Sequence, residues 1–131
     1  MTLSSDKLSR MAAYQERLQR QKIDALAIRK AQALEEAQTL VGKFLLADSG
    51  ITKIILFGSL ARDDVSSLDS DIDLAVACSG EHFLALVTIA QDSPFKVDLV
   101  ELSTADNRIK DAIAREGTVL YEQRKNANLK G

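Results

Sequence analysis

Three aspartates and a glycine-serine pair carry the chemistry open to this chain. Asp71-Ile72-Asp73-Leu74-Ala75-Val76 alternates polar and apolar residues. With a strand's two-residue period, Asp71 and Asp73 share one face while Ile72, Leu74 and Val76 share the other. Further on, Val97 and Leu99 alternate with Lys96, Asp98 and Val100, which sets Asp98 on a face opposite two core residues. Three carboxylates brought together raise one another's pKa values, so such a site calls for a compensating cation. Oxygen donors suit a hard ion such as Mg2+. Upstream, Gly58-Ser59 follows the apolar run Ile54-Ile55-Leu56-Phe57. Gly58 would let a ligand approach the backbone. Ser59 can cap a short helical segment, Ser59-Leu60-Ala61-Arg62, whose free amides can hold a phosphate oxygen. Neither an Asp-x-Asp nor a Gly-Ser turn is specific alone; their order, strand context and the third Asp make the signal.

The elements that must position these residues follow from periodicity. From about Asp6 to Asp48 there is no Pro and a single Gly, Gly42, among many strong helix formers, which predicts one long helix. Leu26, Ala33, Leu34, Ala37, Leu40, Val41, Phe44 and Leu45 form an apolar face for its second half, to pack on the sheet. Its first half carries a thinner stripe, Leu8, Met11 and Leu18, interrupted by Gln15 and Lys22. That half projects, either as a solvated face or as a surface for a partner or a second copy. Lys53 to Phe57 reads as a strand covered on both faces. A helix over Glu81 to Ala90 is nearly all apolar, which predicts burial of much of its surface. Pro94 announces a strand from Phe95 to Glu101. Ser103 or Thr104 can cap a helix from about Ala105 to Glu116; Gly117 ends it, and Val119-Leu120-Tyr121 is a short last strand. The reading is one α+β domain with a mixed sheet packed by helices: a long N-terminal helix over 1–50, a core over 51–122 and a polar tail over 123–131.

Composition narrows the function. The chain has 131 residues, 46% hydrophobic and 27% charged, which suits one modest core. No apolar run approaches a membrane span, and the N-terminus lacks a signal peptide's apolar core, so a cytoplasmic location is expected. The single cysteine, Cys78, excludes an intrachain disulfide and a Cys-rich zinc site; it reads as a small strand-end residue. The single histidine, His82, has no second His or Cys beside it and reads as a surface residue. Asp63, Asp64 and Asp69 read as solvated loop residues. Net charge is -2, but Met1 to Lys30 holds seven basic and three acidic residues and the remainder ten and sixteen. The acidic remainder argues against a nucleic-acid surface and requires cations before a triphosphate is welcome.

The segments LFGSLAR, DSDIDLAV, VDLVE from Val97 to Glu101, and REGTVLYE from Arg115 to Glu122 resemble the nucleotidyltransferase superfamily that includes DNA polymerase beta, and especially its small stand-alone members. The resemblance covers about Ile51 to Glu122. It departs at Asp63, where a Gly is frequent, and in a loop from Ser59 to Asp71 one residue longer than the commonest spacing. What it implies is a small polymerase-beta-like fold and a metal-dependent transfer of a nucleoside monophosphate, AMP from ATP, to an acceptor hydroxyl. Two Mg2+ ions would be held by Asp71, Asp73 and Asp98, with Asp98 either ligand or base; Gly58, Ser59 and Arg62 would hold the nucleotide's phosphates. Small members of this family act as antitoxins that modify a tyrosine of a HEPN-domain toxin. Two alternatives stand beside that: a non-catalytic antitoxin that binds its toxin, and transfer to a small molecule such as an antibiotic.

Overall fold

A 43-residue helix, α1 (Ser5–Ala47), leads the chain. The computed structural model describes residues 4–63 and 71–124; Asp64, Asp69 and most of the polar tail lie outside the described residues. Ser4 caps α1, its hydroxyl accepting from the Lys7 amide at 3.2 Å, which satisfies one of the free donors of the first turn. At the other end Asp48 leaves helical geometry, and its Oδ1 accepts from the Gly50 amide at 2.9 Å, closing a tight turn into the sheet.

Four strands follow: β1 (Lys53–Phe57), β2 (Ile72–Ala77), β3 (Val97–Glu101) and β4 (Thr118–Glu122). They form one mixed sheet in the order β3-β2-β1-β4. β1 is antiparallel to β2 and β4, and β2 is parallel to β3. Between them lie α2 (Gly58–Arg62), α3 (Gly80–Gln91) and α4 (Asn107–Glu116). Strand alternation sends Ile54, Leu56, Ile72, Leu74 and Val76 into one cluster with Ala33, Ala37, Leu40 and Phe44 of α1 and Leu86 and Ala90 of α3. Ile55 and Ala75 are buried on the opposite face, where Gly117, just after α4, leaves room: a Cβ there would lie 2.8 Å from the Ile55 side chain. β1 is thus covered on both sides, as its unbroken apolar run predicts.

Several local expectations change. α3 buries only Leu86 and Ala90, and Leu84 is 75% exposed; packed mainly on α1 and β3, the helix leaves an apolar outer face. β3 begins at Val97, because the Phe95 amide donates to the Ser93 hydroxyl at 3.1 Å and keeps Phe95 in the turn. Neither Ser103 nor Thr104 caps α4. They belong to a 3-10 turn, with the Ser103 hydroxyl donating to Glu101, while Asp106 caps the helix by accepting from the Ile109 amide at 3.0 Å. Leu34 is partly exposed, off the packed face of α1.

Every described residue from Ser4 to Asp24 is exposed, and the first buried residue of α1 is Ala33. Deleting residues 1–20 is therefore expected to leave a cooperative thermal transition, with stability changed by less than about 1 kcal/mol. Circular dichroism melts of the shortened chain check this; loss of the transition would move the edge of the core toward the N-terminus.

Candidate functional site

Strand register assembles the site. Phe57 at the end of β1 pairs with Asp73 of β2, and Asp73 pairs in turn with Asp98 of β3, so both carboxylates stand side by side on the sheet face away from α1. The Ile72 amide donates to the Lys96 carbonyl at 2.9 Å and fixes that register from below. Immediately after Phe57 the chain turns at Gly58 with φ of 78°, a conformation that favours glycine. The absent side chain matters as much: a Cβ on Gly58 would fall 2.1 Å from Asp73 Oδ2. The turn and the carboxylate are in direct apposition.

Asp73 is the electrostatic centre. Its pKa is pushed up to about 6, first by burial, then by the charges of Asp98 and Asp71 and a hydrogen bond with Asp98, with the Arg62 charge opposing. Burial disfavours the charged carboxylate, and two like charges beside it disfavour it further. A bound cation would offset both costs.

Of the remaining predicted residues, Asp71 and Arg62 are paired with other side chains. Asp71 lies just before β2, and its Oδ2 is 3.6 Å from the Lys96 ammonium. Arg62 ends α2 and donates to Glu116 Oε2 at 2.7 Å, an ion pair that ties α2 to the end of α4. Ser59 is not the cap of α2: the helix starts at Gly58, its cap position is Phe57, and no side chain bonds there. Asp63 takes left-handed geometry at φ of 62° and pairs with Lys30 of α1. Sequence reasoning missed Glu116 and Lys96. No local pattern signals them, since the Arg62–Glu116 pair joins residues 54 apart.

The donor set fits a hard divalent cation in type, all oxygen, and in charge, since a cation would relieve the repulsion on Asp73. Among the described residues no three His, Cys, Asp or Glu side chains already surround a common point; Asp73 and Asp98 are paired, while Asp71 sits with Lys96. His82 lies elsewhere, beyond the far end of β2, with Nδ1 2.9 Å from the Ser79 hydroxyl and 3.4 Å from Asp48 Oδ1. Cys78 is nearby, and burial together with Glu101 and Asp48 pushes its thiol up, which suits a structural residue better than a nucleophile.

The polymerase beta nucleotidyltransferase family model matches residues 41–126. The chain belongs to this nucleotidyltransferase family. No curated protein matches its sequence. Solved structures are similar in fold: a putative nucleotidyltransferase from Sulfolobus solfataricus, 20% identical, covers 77% of this chain and 90% of its own with a TM-score of 0.56. A toxin-antitoxin structure with AMP-PNP is 24% identical over 70% of this chain and 78% of the other, with a TM-score of 0.54. A variant of the toxin-antitoxin MntA-HpeT is 25% identical over 68% and 75%, with a TM-score of 0.50. Among the described residues no helix is long and apolar enough to cross a membrane.

Proposed function

We propose that this nucleotidyltransferase moves AMP from ATP to an acceptor hydroxyl, with a tyrosine of a HEPN-type toxin as the acceptor. The observation that carries the reading is the paired Asp73 and Asp98 set against the Gly58 turn, the same parts in the same strand order that the family resemblance assigns to catalysis. The toxin-antitoxin neighbours support the class of partner. Bound Mg2+ would neutralise phosphate charge and lower the proton affinity of the acceptor hydroxyl. Asp71 and Asp73 would hold it jointly. Asp98 would complete the ligand set and take the acceptor's proton as the new oxygen–phosphorus bond forms and the bond to pyrophosphate breaks. The Gly58 and Ser59 amides and the Ser59 hydroxyl would grip the outer phosphates, in a position where the chain passes close to the carboxylates. Arg62 would neutralise phosphate charge from the other end of α2.

Two contacts favour a second reading, toxin binding without transfer: Arg62 is paired with Glu116, and Asp71 with Lys96. Co-expression with a HEPN-domain toxin separates the two. Transfer predicts a toxin heavier by AMP, and protection that the double variant Asp71→Asn/Asp73→Asn no longer gives. Full protection by the double variant, with an unmodified toxin, would establish binding instead.

Ser59→Ala is expected to weaken ATP binding by about 1–3 kcal/mol, the contribution of one hydrogen bond to a charged group, without lowering the melting temperature. Titration with a nonhydrolysable ATP analogue and a thermal melt of the same sample check it. A lower melting temperature with unchanged affinity would assign Ser59 to the fold.

A further inference from the structure

α1 reaches the end of the sheet that carries Asp73 and Asp98, on the sheet's opposite face. One helical turn of α1 is level with that end of the sheet: the Arg29 guanidinium lies 4.0 Å from the centre of the Phe95 ring, just before β3 and Asp98, and Lys30 pairs with Asp63 at the end of α2. Ile23, Leu26 and Ala27 line a groove with the same Lys30 and Asp63. From there α1 runs over the core toward Asp48, at the opposite end of β1. Its other direction leads outward from the core, and Ser5 to Lys22 extends about 27 Å at 1.5 Å per residue.

This arm carries a seam. Met11, Tyr14, Leu18, Ala25 and Ile28 fall at the alternating three- and four-residue spacing of a heptad's a and d positions, broken only by Gln21. Met11 and Tyr14 are each 54% exposed, Leu18 43% and Ile28 59%. An apolar seam on a solvated helix is a surface that lacks its other half. The flanking e and g positions of the arm decide which half. Arg10 and Arg17 flank it on one side and Lys22 on the other, with Asp24 the one acidic flank; Arg17 also lies over the Tyr14 ring. Two copies of this helix in parallel order would set Arg17 against Lys22; in antiparallel order the single Asp24 of one copy can face only one of Arg10 and Arg17 of the other, and Lys22 meets no acidic flank. Either order faces one net-basic flank with another, whereas an acidic helix complements all three cations.

We propose that the arm docks an acidic amphipathic helix of a partner protein, with apolar a and d residues on the seam and carboxylates facing Arg10, Arg17 and Lys22. The family model begins at residue 41, so this surface is an addition to the shared catalytic core. Naming that partner as the acceptor rests on the transferase reading; the docking chemistry does not. A protein held along the arm is tethered to the molecule at the end of the sheet that carries Asp73 and Asp98, which raises its local concentration there without a separate substrate domain.

The test uses the full chain and a fluorescein-labelled synthetic coiled-coil peptide with Leu at a and d and Glu at e and g, whose own carboxylates oppose self-pairing. A second peptide carries Lys at e and g. Anisotropy is expected to show saturable binding of the Glu peptide, about tenfold or more tighter than the Lys peptide. Met11→Asp/Leu18→Asp should abolish it, and these exposed positions leave the melting temperature unchanged. Arg10→Glu/Arg17→Glu/Lys22→Glu should reverse the preference between peptides. Equal affinity for both peptides, binding that survives Met11→Asp/Leu18→Asp, or displacement of the peptide by single-stranded RNA would overturn the proposal. So would a dimer of the unmixed chain, seen in sedimentation, that Met11→Asp/Leu18→Asp dissociates. ATP-analogue titration on the same variants keeps the two readings apart: peptide binding with no metal-dependent nucleotide binding would sink the transferase reading and leave the docking surface standing.

Discussion

With Asp73 replaced by asparagine, the metal-free protein is expected to melt at a higher temperature than the parent at pH 8 while losing nucleotide transfer by at least about a hundredfold. Both results have one cause. Asp73 has a folded-state pKa of about 6 against an ordinary 3.8, so the folded chain binds its proton more tightly than the unfolded chain. The sign follows: above about pH 6 the ionised carboxylate destabilises the fold in full, and as pH falls toward 4 that cost disappears. Asp73→Asn removes the cost and keeps the shape. Its stabilising effect should be present at pH 8, shrink between pH 6 and pH 4, and vanish below that. Thermal melts in the presence of a chelator at pH 8 and pH 4 check the dependence; a variant less stable than the parent at pH 8 would mean that Asp73 is satisfied by partners other than a cation. The loss of transfer follows because stabilisation of phosphate charge by a held cation is worth several kcal/mol and each 1.36 kcal/mol is a factor of ten in rate.

Gly58→Ala should damage the candidate site directly. The new Cβ would be strained by φ of 78° and would meet Asp73 Oδ2 at 2.1 Å, so either the turn or the carboxylate must move. Backbone strain of this kind costs on the order of 1–3 kcal/mol, and displacement of Asp73 should lower divalent-cation and ATP-analogue affinity by about tenfold or more. Gly42→Ala is the matched control. Gly42 lies inside α1 with nothing within 4 Å of a new Cβ, and alanine there is expected to raise stability by about 0.5–1 kcal/mol through helix propensity. Denaturant unfolding and metal titration of both variants give the comparison. Equal behaviour of the two would show that Gly58 yields without disturbing Asp73.

Much of this was legible in the chain because it depends on short-range period. Lys53 to Phe57 and the Asp71-x-Asp73 alternation each lie within one strand, and alternation alone predicts which side chains share a face. The long helix was equally clear from its propensity and the absence of Pro. The apposition of Asp73 with Asp98 needs more: a parallel pairing between β2 and β3, which the family resemblance implied and periodicity alone did not reveal. What escaped the sequence is tertiary or competitive. Leu84 belongs to an apolar helix but has nothing packed over it, because burial depends on neighbours and not on composition. Ser103 and Thr104 have the right chemistry for a cap, yet Asp106 lies closer to the helix start and takes the role. The Arg62–Glu116 ion pair joins two distant elements and has no local signature.

Asp73 and its neighbours are proposed as a cation-dependent triphosphate site. Isothermal titration of the full chain with a nonhydrolysable ATP analogue, with Mg2+ and with chelator, tests it most directly. The predicted result is saturable binding with Mg2+, binding at least about tenfold weaker with chelator, and no Mg2+ effect in Asp71→Asn/Asp73→Asn. Binding that is equally tight with chelator and unaffected by the double substitution would contradict it.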